Sequence, residues 1–272
     1  MTAVFTNNKE NEQFGQKLAI NQDGSRVVVF PIYLKKTYRT YTREDNWKKE
    51  ADLVLKQYDD SSSAAMDASG TTLVIGALER NYKCEGVIPA TMVASCVSNY
   101  NDNSERDEMG AALVYRFDTN AAKWDLEAAL TSETPIADAN LGQHVAISPD
   151  GQYIVANQVK VPACMGVFSN FGACQAAVNN ATGNLGGLHV FRKTSSSWAQ
   201  SNFIGEFKEG ADAHQFAEGP LYINSSHLLI PSLSGGSADC TGFIPNIEAS
   251  DATCEVNPTS PATKGMIYQY KF

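Results

Sequence analysis

The sequence predicts an all-β protein made of four-stranded antiparallel sheets, and repeated segments are the reason for this prediction. Pairs of apolar runs joined by a short turn recur along the 272 residues, at 14–30, 61–77, 141–157 and 216–231. The turns contain Asp, Asn, Ser or Gly, which tolerate the positive φ angles of tight hairpins. Each copy therefore predicts a β-hairpin that supplies the first two strands of a sheet.

Further apolar runs supply the other strands. A third, apolar-aromatic run follows each hairpin, at 36–42, 110–117, 186–193 and 264–272. A fourth run begins at Trp47, Trp124 and Trp198, which we interpret as residues that pack neighbouring units rather than as a sugar-stacking set. No segment shows a sustained 3.6-residue apolar period, so few and short helices are expected. The units predict a β-propeller of about four four-stranded antiparallel blades.

The repeat resembles the FG-GAP repeat, the blade of the integrin α-chain β-propeller, which also occurs in microbial surface and secreted proteins. The residues that carry the resemblance are Phe14-Gly15, the Asp23-Gly24 turn, 73–77, 110–117 and Leu141-Gly142 with 144–157. The resemblance implies a single propeller domain with blades at about 14–58, 59–135, 136–210 and 211–272. Residues 1–13 are expected to pair as the outer strand of the last blade and to close the ring.

Many blades of this family bind calcium through a D-x-D-x-D-G loop in the first hairpin. Calcium takes six to eight oxygen ligands. The four hairpin turns of this chain supply at most one carboxylate each. We therefore expect plain hairpin turns, no metal site and no cofactor.

The six cysteines fall into three local pairs, one in each of the last three blades. The repeat predicts the disulfides Cys84–Cys96, Cys164–Cys174 and Cys240–Cys254. The spacings are not those of C-x₂₋₄-C zinc sites. Disulfides persist outside the cytoplasm, so the predicted location is extracellular, cell-surface or periplasmic. Asn180 and Asn224 begin N-x-Ser/Thr triplets and are candidate glycosylation sites in a eukaryotic source.

Composition excludes several functional classes. The net charge of −9 argues against a general nucleic-acid or anionic-membrane binder. No apolar run approaches the length of a membrane-spanning helix, and the first thirteen residues lack the basic start and apolar stretch of a signal peptide. The predicted partners therefore include neither nucleic acid nor a membrane interior.

Catalysis is not indicated by the titratable residues. His144 and His189 alternate within predicted strands, which is typical of partly buried packing residues. Asp212 and His214 lie on one side of an extended segment, but no nucleophile is indicated beside them. Carboxylates near a propeller axis could serve glycoside hydrolysis, but none recurs at an equivalent position. We expect no catalytic residues and predict that the chain is not an enzyme.

The sequence favours a non-catalytic extracellular binding or adhesion module whose disulfide-stiffened loops contact a protein or a glycan. A second hypothesis is a structural subunit of a surface layer or filament, and a third is a propeller hydrolase. Residues 14–58 hold nine Lys and Arg against five Asp and Glu, unlike the acidic remainder. Their basic and aromatic residues form a candidate site for an acidic ligand, namely Lys35, Lys36, Tyr38, Arg39 and Tyr41.

Overall fold

The computed structural model describes residues 14–31, 37–43, 46–55, 61–78, 81–97, 108–161, 164, 166–177, 185–205, 217, 219–224, 227–232 and 266–271. Within these ranges the chain forms β-strands and two short α-helices, and the strands make four antiparallel sheets that follow one another along the chain. The all-β prediction is confirmed. Residues 1–13, expected to close a ring, lie outside the described ranges.

The first two sheets contain residues 14–54 and 61–130. Sheet 1 has the strand order β1-β2-β3-β4, formed by β1 (Phe14–Ile20), β2 (Arg26–Pro31), β3 (Thr37–Thr42) and β4 (Lys48–Val54). Sheet 2 has the order β5-β6-β8-β9-β7, formed by β5 (Ser61–Met66), β6 (Thr72–Ala77), β7 (Val87–Pro89), β8 (Ala111–Asp118) and β9 (Lys123–Leu130). Helix α1 (Ala90–Cys96) directly follows β7.

Sheets 3 and 4 repeat the arrangement. Sheet 3 has the order β10-β11-β13-β14-β12, formed by β10 (Val145–Ile147), β11 (Tyr153–Val161), β12 (Gly166–Phe168), β13 (Leu185–Lys193) and β14 (Trp198–Gly205), with α2 (Phe171–Ala177) after β12. The described part of sheet 4 has the order β15-β16-β17, formed by β15 (Tyr222–Ile223), β16 (His227–Ser232) and β17 (Met266–Lys271).

The prediction of four strands per sheet is wrong for sheets 2 and 3, which have five. In each, the connection between the second and third strands folds back and adds a short strand to the outer edge of the sheet. β7 pairs with β9, and β12 pairs with β14, both antiparallel. The added strand satisfies backbone groups that an edge strand otherwise leaves unpaired. The two helices come from the same connections.

Apolar side chains pack between consecutive sheets. In β4, Ala51 and Leu53 are buried against sheet 2 whereas Asp52 and Val54 are exposed, as the two-residue period of a strand requires. Separate apolar clusters join sheets 1 and 2, sheets 2 and 3, and sheets 3 and 4. The first strands also contact one another in sequence, β1 with β5, β5 with β10 and β10 with β15. The first strands therefore lie on one side of the row of sheets and the fourth strands on the other.

The repeat predicts that three tryptophans pack between neighbouring sheets, and two of them do so in the structure. Trp124 of sheet 2 is buried and donates from Nε1 to Oγ1 of Thr40 in sheet 1 at 2.7 Å. Trp198 of sheet 3 is buried and donates from Nε1 to Glu127 in sheet 2 at 3.1 Å. Trp47 is half-buried and precedes β4 with a φ of 64°. The position of Trp47 thus differs from that of its two equivalents, which lie within strands.

Glu127 forms ion pairs at the interface of sheets 2 and 3. It accepts hydrogen bonds from Arg116 in its own sheet at 3.1 Å and from Lys193 in sheet 3 at 3.2 Å. Burial raises the pKa of this carboxyl, but Arg116, Lys193 and Trp198 together outweigh burial and leave the pKa below its ordinary value. Glu127 is therefore an ionised contact point between the sheets.

The first hairpin turn of each sheet is closed by a similar hydrogen bond from the backbone to a side chain. Side-chain oxygens of Asn21, Asp67, Ser148 and Asn224 accept from a backbone N–H across the turn at 2.8–2.9 Å. The four residues occupy equivalent positions in the repeated phrase. An acceptor oxygen at this position holds the turn closed, because Asx and Ser side chains readily bond the backbone nearby.

Candidate binding surface

Disulfides anchor the two connections that supply the fifth strands, which we call insert A (residues 81–97) and insert B (residues 164–177). In insert A, Cys84 bonds Cys96, the last residue of α1, with Cα atoms 5.2 Å apart. The backbone N–H of Lys83 also donates to the carbonyl of Cys96 at 2.6 Å. The bridge therefore closes a unit made of a turn, a strand and one short helix.

Insert B repeats this construction. Cys164 bonds Cys174 within α2, with Cα atoms 5.5 Å apart. Phe171 of the same helix is fully buried and packs on Phe203 of β14, with ring centroids 4.7 Å apart. The disulfide and one aromatic ring thus hold the insert against the body of sheet 3.

The two inserts occupy equivalent positions on their sheets. The register pairs Ile88 of insert A with Ala129, and Phe168 of insert B with Phe203. Ala129 and Phe203 are equivalent, because each lies one residue beyond the pair that borders the bulge between the third and fourth strands. The two inserts are therefore copies of one repeated structural element and not unrelated loops.

The exposed side of the inserts has an unusual composition for a chain of net charge −9. Residues 86–101 and 161–191 contain no Asp, Glu, Lys or Arg. Met92 of α1 is 49% exposed and Val167 of β12 is 45% exposed. Lys83 and Glu85 at the start of insert A are exposed, but β7, α1 and residues 164–177 contain no charged side chain, which leaves uncharged stretches at Met92 and at Val167.

Two of the three predicted disulfides form in the structure, and Cys240 and Cys254 lie outside the described residues. Disulfides persist in oxidising compartments, so these bridges indicate an extracellular or periplasmic environment. Neither helix in the described ranges is long and apolar enough to cross a membrane. Asn224 lies at a hairpin turn, and Asn180 lies outside the described residues.

The predicted basic-aromatic site is only partly preserved. Tyr38 is 3% exposed and packs edge-on against Phe30, with ring centroids 4.5 Å apart, so it belongs to the core and not to a ligand surface. It points toward sheet 2 because it shares the buried face of β3 with Thr40. Arg39 and Tyr41 are half-buried on the other face. Lys35 and Lys36 lie outside the described residues.

His189 is the most buried of the titratable groups with a shifted pKa. Its Nε2 lies 2.9 Å from Oε1 of Gln158, and the rings of Phe171 and Phe203 surround it. Burial lowers the pKa of this imidazole to about 3, and a contact with Gln200 opposes the shift. Sequence analysis expected partial burial, and the structure buries the side chain completely. Asp212 and His214 lie outside the described residues.

Metal-binding geometry is not found in the part of the chain that the structure describes, where no three His, Cys, Asp or Glu side chains cluster. Asp67, the buried carboxylate of the second turn, is occupied by protein donors. Its oxygens accept from the backbone N–H of Thr71 and Thr72 and from the hydroxyls of Ser69 and Thr72.

The expectation of few and short helices is confirmed in the described residues, but sequence analysis located neither helix and missed the fifth strands. The stretches without charged residues were the available signal, since residues 161–191 contain Cys164 and Cys174, and residues 86–101 contain Cys96 and begin two positions after Cys84. An insert that remains solvated usually contains charged residues, whereas one that packs on a sheet needs apolar and small ones. Composition therefore could have separated these inserts from ordinary loops.

Comparison with known proteins gives neither a family nor a curated relative. No family model matches the chain, and no curated protein matches it. Among solved structures, Sqt1 of Saccharomyces cerevisiae matches with a TM-score of 0.44 and 10% identity over 82% of this chain and 44% of that one. U3-55K matches with a TM-score of 0.42 and 9% identity over 83% and 47%. The chain thus spans about half the length of these proteins.

A third solved structure concerns the prediction that the chain is not an enzyme. A putative 6-phosphogluconolactonase of Bacteroides fragilis matches with a TM-score of 0.36 and 12% identity over 70% of this chain and 38% of that one. The prediction that the chain is not an enzyme is withdrawn, because it rested only on the absence of recognisable catalytic residues from the sequence pattern. A likeness of this size assigns no activity to the chain.

Proposed function

We propose that the chain is an extracellular protein-binding module in which inserts A and B form the contact surface. The observation that carries this proposal is that both disulfide-anchored inserts contain a stretch without charged residues, and that these stretches expose Met92 and Val167. Depletion of charged residues is the compositional mark of the core of protein interfaces, where Met is enriched. A surface held rigid before binding also loses less conformational entropy on binding.

The scaffold in this proposal is a four-bladed propeller of the FG-GAP type, in which the sheets are blades and residues 1–13 close the ring. The consecutive contacts of the first strands and the repeated hairpin turns support this arrangement. Both inserts leave their sheets at the end opposite the hairpin turns, since β6 and β11 each run from a turn to an insert. The inserts therefore share one face of the scaffold.

A second candidate is a structural subunit that packs with its own copies. Leu18 and Ile20 of sheet 1 are 59% and 50% exposed, and Tyr222 of sheet 4 is 61% exposed. These residues lie on the first and last sheets of the row, where a further sheet could cover them. Exposed apolar residues at both ends favour association of copies.

Charge placed on the inserts separates these candidates. We expect Met92→Glu with Val167→Glu to abolish capture of surface proteins from the source and to leave the melting temperature within about 3 °C, since both side chains are exposed. Gln152→Glu, in an exposed hairpin turn at the other end of β11, is the matched control. Unchanged capture by the double variant would refute the proposal. Association that grows with protein concentration and survives the double variant would favour the structural subunit.

A further inference from the structure

Within the residues that the structure describes, sheet 1 has four strands and no fifth strand like those of sheets 2 and 3. The connection between β2 and β3 has only five residues, from 32 to 36, which is too short to fold back along the sheet. Among the described residues, β4 is the outermost strand of sheet 1 and nothing pairs with its outer edge. In the described part of the chain, the outer edge of sheet 1 is therefore open, whereas those of sheets 2 and 3 are covered.

Comparison of equivalent positions in the three sheets shows that Val54 of sheet 1 is uncovered. Counted from the bulge in each fourth strand, Val54 corresponds to Thr131 and Gly205. Thr131 is 5% exposed, and its N–H and hydroxyl both donate to the carbonyl of Gly86 in insert A, at 2.8 and 2.9 Å. A Cβ on Gly205 would overlap the carbonyl oxygen of Cys164 in insert B. Val54, by contrast, is 69% exposed.

A charged residue on this edge replaces the apolar residues at the equivalent position of sheets 2 and 3. Asp52 corresponds to the buried apolar residues Ala129 and Phe203, which face Ile88 and Phe168 of the inserts. The Asp52 carboxylate pairs with Lys49 at 2.6 Å on an exposed surface. An exposed pair of this kind contributes little, so another cation can displace Lys49 at low cost.

We propose that the outer edge of β4 at Asp52–Val54 binds an extended segment of a partner protein as a fifth antiparallel strand. The segment has Lys or Arg opposite Asp52, in the place of Ile88 and Phe168, and an apolar residue two positions earlier, opposite Val54. Backbone pairing provides the attachment, as in other additions of a strand to a sheet edge. The cross-strand ion pair with the Asp52 carboxylate provides selectivity. This edge is distinct from the proposed insert surface and does not depend on it.

Peptides derived from insert A provide the test. The probe has the sequence of residues 85–93 with Gly86→Val and Ile88→Lys, and the control probe has Ile88→Glu instead. Titration followed by amide chemical shifts should perturb residues 52–54, with the Lys probe binding about 3- to 30-fold more tightly than the Glu probe. The protein variant Asp52→Lys, at an exposed position, should reverse this preference.

A backbone variant tests the pairing itself. Val54→Pro removes the N–H equivalent to the one that Thr131 donates to insert A, and an edge strand tolerates proline where that N–H faces solvent. This variant should lose binding of both probes and keep its melting temperature within about 3 °C. Absence of shifts at 52–54 with millimolar probe, equal binding of the two probes, or no reversal in Asp52→Lys would overturn the proposal. If Val54→Pro fails to fold, the binding of the two probes to wild type and to Asp52→Lys still tests the proposal.

Discussion

Acid should destabilise this protein through the buried imidazole of His189. The side chain has no exposed surface, and its surroundings are the uncharged side chains of Gln158, Phe171, Phe203 and Gln200. Burial disfavours the charged imidazole and lowers its pKa to about 3, from an ordinary value of 6.5. The folded protein thus keeps this group neutral under conditions in which the unfolded chain would protonate it.

The sign and size of the effect follow from proton linkage. Between about pH 3 and 6.5 the unfolded chain binds one proton more than the folded chain at this site, so the free energy of unfolding falls as the pH falls. The slope is about 1.4 kcal/mol per pH unit. Between about pH 7.5 and 4.5 the loss sums to roughly 2 to 3 kcal/mol, a large fraction of the stability of a typical domain.

Urea unfolding of wild type and His189→Gln over that pH range measures this loss. Glutamine keeps a donor for Gln158 but does not titrate, so we expect lower stability than wild type at pH 7.5 and a difference that disappears toward pH 4.5. Gln152→Ala, at an exposed position in a hairpin turn, is the control and should follow wild type at every pH. Parallel profiles for wild type and His189→Gln would show that the reasoning is wrong.

Two further predictions concern packing between and within the sheets. Gly187→Ala places a Cβ against the ring of Phe203 and should cost roughly 1 to 3 kcal/mol in urea unfolding, whereas Gly172→Ala in α2 meets nothing closer than 3.5 Å and should be neutral or stabilising. Trp198→Phe removes the bond to Glu127 between sheets 2 and 3 and should lower the free energy of unfolding by about 1 to 3 kcal/mol. Equal stability of the two glycine variants, or of Trp198→Phe and wild type, would contradict these expectations.

Hairpins and interface tryptophans could be predicted from sequence because their causes are local. A turn such as Pro149-Asp150-Gly151 sits between two apolar runs, so the residues that decide the structure are adjacent in the chain. Trp124 and Trp198 each begin the fourth apolar run of their unit, and the repeat alone indicates that they have equivalent roles. The third-strand and fourth-strand runs were likewise visible as separate apolar segments.

The fifth strands could not be predicted in the same way, because their partners are distant. Val87 pairs with Leu130 across more than forty positions, and a three-residue strand has too few residues to show a period. Each helix has only seven residues, mostly small ones, so an apolar helical face cannot be recognised. Strand β3 has an aromatic residue on each side, Tyr38 on one and Tyr41 on the other. Only the packed structure shows which side is buried.

The repeated hairpin segment places a hydrogen-bond acceptor at the same position in each first turn. Variants of Asp67 distinguish this role from that of a metal ligand. The equivalent residues are an amide in Asn21 and Asn224 and a hydroxyl in Ser148, which share an acceptor oxygen and no charge. Asp67→Asn keeps an oxygen for the backbone N–H of Thr71 and Thr72, and its amide can donate to the nearby hydroxyls. We expect this variant to lose less than about 1 kcal/mol.

Asp67→Ala leaves those buried backbone donors without an acceptor and should cost roughly 1 to 3 kcal/mol in urea unfolding. A calcium loop predicts a different order, because the ion needs carboxylate charge and the Asn variant would then be damaged nearly as much as the Ala variant. EDTA should leave the melting temperature of wild type unchanged. A fall of several degrees that added calcium reverses, together with equal damage in both variants, would show that the turn holds an ion and that its hydrogen bonds are secondary.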